Sequence, residues 1–224
     1  MAGDAIELVF LRHGESEGNR ERRFGGHGPA ALTELGRRQA AAAARALAAG
    51  PRPVDAIYSS DLARALETAA PLAAATGLAA VATAALRERS VGALTGLTFD
   101  EARARHPDVW DRLVARDPAY VPPGGESHLD CSRRVGAVLA DVAARHAGQR
   151  VVLVSHGVAI DHLLRHVLGA ADTLDFRFVI HVDNCSIHRV QRRGEAGAPW
   201  RIVAINDVSH LTGVEPEPDP RVTA

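Results

Sequence analysis

Two short runs of the sequence place a histidine directly after an apolar segment and directly before a glycine. Arg12-His13-Gly14 follows the β-prone run Ala5–Leu11, and His156-Gly157 follows Arg150–Ser155. In an open α/β sheet, ligands bind just outside the carboxyl ends of the strands. An arginine and an imidazole at such an end favour chemistry on an anion, and the glycine lets the backbone approach a ligand closely.

Two further polar groups could belong to the same site. Arg64 falls in the first turn of a helix predicted over roughly residues 62–75 and capped by Asp61, where a cation opposes the helix dipole. That position is explained if Arg64 binds an anion that also faces the helix N-terminus, although a solvated surface arginine is the simpler alternative. Glu88 stands between Arg87 and Arg89, and by itself it would be a surface salt-bridge partner.

Taken together, these residues predict a phosphoryl-transfer site. His13 would attack phosphorus through a neutral ring nitrogen and form a phosphohistidine. Arg12 and Arg64, with His156 if protonated, would neutralise the oxygens as charge spreads in the transition state. Glu88 would donate a proton to the leaving oxygen and then accept one from the water that hydrolyses the intermediate.

The elements that must position these groups alternate between strand and helix, which predicts a mostly parallel sheet with helices on both faces. We expect a three-layer α/β/α sandwich that forms one domain over residues 1–213, with a helical cap from the middle of the chain. The late runs Phe178–His181, Ser186–Gln191 and Ile202–Ile205 are expected as strands near a sheet edge. The proline-rich, acidic tail 214–224 is predicted to be disordered.

Composition limits the function classes. The 224 residues are 46% apolar and 24% charged with a net charge of −1, so no general attraction to nucleic acid or to anionic membranes is expected. Cys131 and Cys185 lack a Cys-x-x-Cys spacing and indicate a reducing compartment. With no signal-peptide pattern and no long apolar run, a cytoplasmic protein is expected, and a homodimer through the sheet edge is compatible with the sequence.

The ordered motifs resemble those of the histidine phosphatase superfamily, the phosphoglycerate mutase-like proteins. The resemblance rests on five motifs over residues 5–212: Arg12-His13-Gly14-Glu15-Ser16 with Asn19, Leu32-Thr33-Glu34-Leu35-Gly36 with Gln39-Ala40, Ser59-Ser60-Asp61-Leu62 with Arg64 and Thr68, Leu86-Arg87-Glu88 with Gly125-Glu126-Ser127, and Ser155-His156-Gly157. The resemblance implies His13 as nucleophile and Glu88 as proton donor, with no metal and no cofactor. It also implies a phosphate pocket formed by Arg12, Asn19, Arg64, His156 and Gly157.

Departures from the family pattern bear on the substrate. Leu94 and Thr95 stand where the family often has an aromatic residue and a glutamate, and Gly18 replaces a common tryptophan. Mutase relatives resemble one another in an asparagine after the second His-Gly and in a longer basic insertion. Here Val158 follows Gly157, and the segment between Glu88 and His156 has no lysine. We therefore expect hydrolysis of a small phosphorylated metabolite, with a phosphoglycerate mutase as the alternative.

Functions of two different classes are also compatible with parts of the sequence. A catalytically silent phospho-ligand binding module on the same fold would predict loss of His13, Arg64, Glu88 or His156, and all four are present. A metal site could use His162 and His166, which are four residues apart on one helix face. Position 163 is a leucine where a metalloprotease helix carries its glutamate, so a structural histidine pair is preferred.

Overall fold

Strands and helices alternate along the chain, as the sequence predicts. The computed structural model describes residues 5–171, 176, 178–194 and 197–214, so the predicted disordered tail lies outside the described residues except for Val214. The strands are β1 (Ala5–Arg12), β2 (Ala56–Ser60), β3 (Ala80–Thr83), β4 (Arg150–Ser155), β5 (Ile187–Arg193) and β6 (Trp200–Asp207). The helices are α1 (Glu17–Arg20), α2 (Glu34–Ala48), α3 (Ala63–Thr76), α4 (Phe99–Arg105), α5 (Pro107–Val114), α6 (His128–Arg145) and α7 (Gly157–Val167).

The six strands form one sheet in the order β3-β2-β4-β1-β5-β6. Strands β1 to β4 run parallel to one another, β5 pairs antiparallel with β1, and β6 pairs antiparallel with β5. The register pairs Arg12 at the end of β1 with Ser155 at the end of β4. Since the next residue along each strand is His13 or His156, the two histidines leave the same edge of the sheet from adjacent strands.

Helices cover both faces of the sheet, which confirms the predicted three-layer sandwich. Leu8 and Phe10 of β1 pack on one face against α6 and α7, whereas Val9 and Leu11 pack on the other face against α2 and α3. This alternation is the period of two that a strand imposes, with both sides apolar because both are covered. Among the described residues, no helix is long and apolar enough to cross a membrane.

Side-chain hydrogen bonds cap the starts of several helices. Thr33 accepts a hydrogen bond from Gly36 N at 3.0 Å at the start of α2. Reciprocal capping boxes open α4 at Thr98 and α6 at Ser127. Pro107 ends one helix and is the first residue of the next, where its missing N–H costs nothing.

Two local predictions are wrong for tertiary reasons. Asp61 does not cap α3, whose N-cap is Leu62, because its carboxylate accepts two hydrogen bonds from Arg87 at 2.6 and 2.7 Å. The run Phe178–His181 is irregular rather than a strand. Its backbone binds side chains of α7 instead of a neighbouring strand: Arg165 donates to Phe178 O at 2.6 Å and Ile180 N donates to Asp161 at 3.3 Å.

Candidate active site

The predicted chemical groups converge at the carboxyl ends of the parallel strands. His13 and His156 follow β1 and β4, and their ring centroids are 5.0 Å apart. Arg64, in the first turn of α3, places its Nε 3.3 Å from Nε2 of His13. All three side chains are almost completely buried. The structure therefore brings these residues into one enclosed, cation-rich site.

A backbone contact defines which nitrogen of His13 is free. Its Nδ1 lies 2.7 Å from Gly14 O, and a carbonyl oxygen only accepts, so Nδ1 carries the proton and Nε2 presents a lone pair. Burial lowers the pKa of His13 well below its ordinary value, and the charges of Arg12 and Arg64 lower it further. The ring is therefore neutral near pH 7, with the unprotonated nitrogen facing Arg64.

The two arginines of the site are anchored by backbone carbonyls. Arg12 donates from Nη1 to Val182 O, while its Nε is buried and has no partner among the described residues. Arg64 donates to Gly26 O at 2.8 Å and to Gly28 O at 3.2 Å. Burial lowers the pKa of both guanidinium groups and the carboxylate of Glu88 opposes the effect, but arginine stays charged. Neither guanidinium forms an ion pair with a carboxylate in the part of the chain that the structure describes.

Close backbone packing positions the loop after β1. Gly14 N donates to Thr68 Oγ1 at 3.0 Å, and that hydroxyl donates to Arg64 O at 2.7 Å. A Cβ at Gly14 would lie 2.4 Å from Gly36 O, so this position accepts only glycine without a backbone shift. Thr68 therefore links the nucleophile loop to the helix that carries Arg64.

His156 is neutral in this site, a point on which the sequence left both protonation states open. Burial lowers its pKa well below the ordinary value, and His13, Arg64 and Arg12 lower it further. Its Nε2 lies 2.7 Å from Ser60 Oγ, which accepts from Leu62 N at 3.3 Å and has a hydrogen that it can donate to the ring. The proton of His156 then lies on Nδ1, a buried atom with no partner among the described residues.

Glu88 lies at the N-terminus of α7 rather than in a surface ion pair. Its Oε1 accepts from Arg89 N at 2.8 Å and Ala159 N at 3.1 Å, and its Oε2 accepts from Val158 N at 3.1 Å. A carboxylate at this end of a helix is stabilised by free N–H groups and by the helix dipole. A Cβ placed on Gly157 would lie 3.8 Å from both Arg12 and Glu88, so Gly157 separates the two.

Asn19 joins the site through Asn184, a residue from the turn before β5. Asn19 Oδ1 accepts from Ser16 N at 3.2 Å, from Ser16 Oγ at 2.9 Å and from Asn184 Nδ2 at 3.1 Å. Asn184 Nδ2 also lies 3.1 Å from His13 O. With its oxygen occupied, the Asn19 amide nitrogen is the group left for a ligand. The contact of Asn184 with the nucleophile loop spans 171 positions, which no local sequence signal reveals.

The histidine pair of α7 has structural partners in α6. His162 Nε2 lies 3.2 Å from His128 Nδ1, and His166 Nε2 lies 3.1 Å from Ser132 Oγ. Within the described part of the chain there is no group of three or more His, Cys, Asp or Glu residues that could hold a metal ion. The metal alternative therefore has no supporting geometry at these positions.

A cleft of about 800 Å³ opens beside Arg12, Glu88 and Gly157. One wall is apolar and comes from the loop before α2 and from α4 and α5. The opposite wall follows α7. The apolar lining residues are Phe24, Phe99, Trp110, Leu113, Val114, Val158, Phe176, Val179, Ile180 and Val182. This space adjoins Glu88, where a leaving group would lie.

The sequence profile of the histidine phosphatase superfamily (branch 1) matches residues 8–208. The chain belongs to the histidine phosphatase superfamily. Its fold agrees with solved members. It is similar to a mycobacterial glucosyl-3-phosphoglycerate phosphatase with a TM-score of 0.76 and 34% identity, over 90% of this chain and 99% of the other.

Other members of the superfamily carry both phosphatase and mutase-like names. The chain is 36% identical to phosphoglycerate mutase-like protein 4 of Arabidopsis thaliana, over 93% of this chain and 88% of that protein. It is 33% identical to a metal-independent phosphoserine phosphatase of the same plant, over 96% of this chain and 87% of that protein. It is 37% identical to a bifunctional protein of Mycobacterium tuberculosis, over 90% of this chain, but spans only 54% of that protein's length.

The departures from the superfamily motifs at positions 94, 95 and 158 lie beside the cleft rather than in the phosphate pocket. Leu94 is fully buried in the apolar cluster that includes Phe24 and Trp110. Thr95 packs against Gly28, and a Cβ placed on Gly28 would lie 2.7 Å from the methyl group of Thr95. Val158 supplies a backbone N–H to Glu88, which any residue except proline can do. These substitutions thus alter the surroundings of a leaving group and leave the arginines and histidines unchanged.

Proposed function

We propose that this histidine phosphatase hydrolyses phosphomonoesters of small metabolites through a phosphohistidine on His13, without a metal ion. The observation that carries the proposal is the hydrogen bond between His13 Nδ1 and Gly14 O at 2.7 Å. It fixes the tautomer in which Nε2 is the nucleophile. The relatives named as phosphatases support hydrolysis as the outcome.

In the first step, His13 Nε2 attacks phosphorus and the bond from phosphorus to the ester oxygen breaks. Arg12 and Arg64 would bind the phosphoryl oxygens, with neutral donors from His156 Nδ1, the Asn19 amide and the backbone of Gly157. Gly157 N–H has no acceptor among the described residues, which supports this role. These donors are held in place before the reaction, so little reorganisation is needed as charge spreads.

Glu88 would transfer the protons. Its protonated carboxyl gives a proton to the leaving oxygen as the alcohol departs. The resulting carboxylate then removes a proton from water as the water oxygen attacks the phosphohistidine. That attack breaks the bond between phosphorus and His13, releases phosphate and restores both Glu88 and the neutral ring.

The test is phosphate release from a panel of phosphomonoesters in the presence of EDTA. Wild type should release phosphate, and His13→Ala should release none above background. His146→Ala is the matched control, because its ring binds Tyr58 and Gln149 away from the site and its activity should stay at the wild-type level. Release that stops with EDTA, or that persists in His13→Ala, would contradict the mechanism.

A phosphoglycerate mutase remains the second candidate, favoured by the mutase-like name of a relative. Isomerisation of 3-phosphoglycerate, measured beside phosphate release, separates the two, and isomerisation much faster than release would select the mutase. We further propose a cytoplasmic location and no role for nucleic acid. The two cysteines are buried free thiols, which supports a reducing compartment.

A further inference from the structure

His27 is an exposed residue of the segment between α1 and α2, and its ring contacts the loop that carries Glu88. Its Nε2 lies 2.7 Å from Glu88 O, 61 positions away in the chain. A carbonyl oxygen only accepts, so Nε2 carries the ring proton and donates this hydrogen bond. None of the roles assigned to the site so far uses this contact.

The residues on either side of His27 hold the arginine beside the nucleophile. Gly26 O and Gly28 O accept hydrogen bonds from Arg64 at 2.8 and 3.2 Å. Arg64 in turn places its Nε 3.3 Å from Nε2 of His13. Three consecutive residues therefore contact both halves of the site: two backbone carbonyls bind the arginine that would hold phosphate, and the ring of His27 binds the loop of the acid.

Glu88 depends on such support, because it lies in a segment that is neither helix nor strand. Arg134 of α6 binds this loop at Ala85 O and Arg87 O, at 3.0 and 2.9 Å, but lies 3.4 Å from Glu88 O, which is long for a hydrogen bond. His27 makes the shorter contact with the same oxygen, at 2.7 Å. The loop is thus anchored to α6 on one side, and His27 anchors Glu88 itself to the side of the nucleophile.

We propose that His27 is a positioning residue, which holds Glu88 at the distance from the phosphoryl group that proton transfer requires. This inference rests on the proposed function, because it assumes that Glu88 protonates the leaving oxygen. A general acid acts within about 2.6–3.2 Å of the atom that it protonates, and a displacement of about 1 Å can lower a rate about 10²-fold. In this role His27 acts through the backbone of Glu88 and needs no contact with the substrate.

Kinetics with two leaving groups test this role. His27→Ala should lower kcat/KM for an alkyl phosphate by about tenfold or more, because the leaving oxygen needs the proton. It should lower kcat/KM for 4-nitrophenyl phosphate by less than about threefold, since this leaving group departs without a proton. The inhibition constant of inorganic phosphate should change by less than about twofold, because Arg12 and Arg64 stay in place. A merely structural role would instead raise that constant and lower kcat/KM for both substrates by equal factors.

Two amide variants of His27 provide the matched control. Glutamine places its Nε2 the same number of bonds from the backbone as histidine does, so His27→Gln can still donate to Glu88 O. Asparagine carries the same amide on a side chain that is one bond shorter, and it ends short of that oxygen. His27→Gln should keep kcat/KM for the alkyl phosphate within about threefold of wild type, whereas His27→Asn should behave as His27→Ala does.

A double variant shows whether His27 acts through the carboxyl group of Glu88. In a Glu88→Gln background, His27→Ala should lower kcat/KM for the alkyl phosphate by less than about twofold, because the transferable proton is already lost. A further loss as large as that in the wild-type background would overturn the inference. Equal factors for the two leaving groups in His27→Ala would overturn it as well.

Amide hydrogen exchange reports the position of Glu88 without turnover. The first N–H groups of a helix have no partner within it. Val158 N and Ala159 N each donate to the Glu88 carboxylate at 3.1 Å, so their protection depends on where Glu88 lies. Exchange at these two amides should be about tenfold or more faster in His27→Ala than in wild type, and His27→Gln should restore it. Unchanged exchange in folded His27→Ala would overturn the inference.

The exchange measurement also separates this inference from the proposed function. If wild type hydrolyses no phosphomonoester, the proposed hydrolysis fails, and if Glu88→Gln lowers kcat/KM for both leaving groups equally, its acid step fails. Faster exchange at Val158 and Ala159 in His27→Ala, reversed in His27→Gln, would in either case still support the positioning of Glu88 by His27.

Discussion

Replacing Glu88 with glutamine tests whether this side chain moves a proton or only caps a helix. Both carboxylate oxygens accept backbone hydrogen bonds, from Arg89 and Ala159 at Oε1 and from Val158 at Oε2. Glutamine keeps one acceptor oxygen and places an amide NH₂ against the remaining N–H donor. The substitution therefore weakens the cap modestly, whereas it removes the transferable proton completely.

The two roles predict different dependence on the leaving group. An alkyl phosphate needs a proton on its departing oxygen, so Glu88→Gln should lower its kcat/KM by about 10²–10⁴-fold. 4-Nitrophenyl phosphate releases a stabilised phenolate, and its kcat/KM should fall less than about tenfold. The assay is initial phosphate or nitrophenol release, and kcat/KM is the right quantity because it reports the steps up to transfer onto the enzyme.

A neighbouring carboxylate provides the control. Glu126→Gln disturbs a side chain that pairs with Arg134 and supports the same loop, but it has no place in the proton transfer. It should change kcat/KM for the alkyl phosphate and for 4-nitrophenyl phosphate by equal factors. If Glu88→Gln also lowers kcat/KM for both substrates by equal factors, the acid role is wrong and Glu88 is a structural cap.

Three further predictions concern packing and charge. Arg150→Met leaves the buried carboxylate of Glu7 without its 2.7 Å partner, and the free energy of unfolding measured in urea should fall by about 3–5 kcal/mol. Gly14→Ala forces a Cβ to within 2.4 Å of a carbonyl oxygen and should displace the nucleophile loop, lowering kcat/KM by about 10²-fold in the phosphatase assay. The pKa values of His128 and His162 lie at about 2 and 3 in the folded protein, below about 6.5 in the unfolded chain, so the unfolded state binds more protons as the pH falls. The contribution of these rings to the free energy of unfolding should therefore be full above pH 6.5 and fall between pH 6.5 and about 3, by at most about 1.4 kcal/mol per pH unit for each ring. When unfolding in urea is measured at pH 7 and at pH 5.5, the free energy of unfolding of His128→Gln should fall less between the two pH values than that of wild type.

The parts of the fold that could be predicted from sequence depend on local signals. The capping boxes at Thr98 and Ser127 are complete within four residues, so each helix start is visible in the sequence. Asp61 offered an equally good cap, but a bidentate contact with Arg87, 26 residues away, took its carboxylate. The run 178–181 has strand-like composition, but its backbone partners are side chains of α7. Local propensity gives no information about such competitors.

The same distinction applies to the site. His13 and Arg64 could be singled out because their positions at a strand end and in a first helical turn are unusual in themselves. The neutral state of His156 could not be predicted, since it depends on complete burial beside His13 and two arginines.

The cation-rich pocket serves binding and nucleophilicity through one arrangement. A phosphoryl group requires positive charge, and a histidine nucleophile requires a deprotonated nitrogen. Arg12 and Arg64 supply both, because the charges that would hold phosphate also lower the pKa of His13. Burial acts in the same direction, and the Gly14 carbonyl retains the single proton on Nδ1. A lysine at position 64 would keep part of the charge but lose the fork that reaches Gly26 O and Gly28 O while Nε faces His13. The nucleophile therefore depends on arginine geometry as much as on its charge.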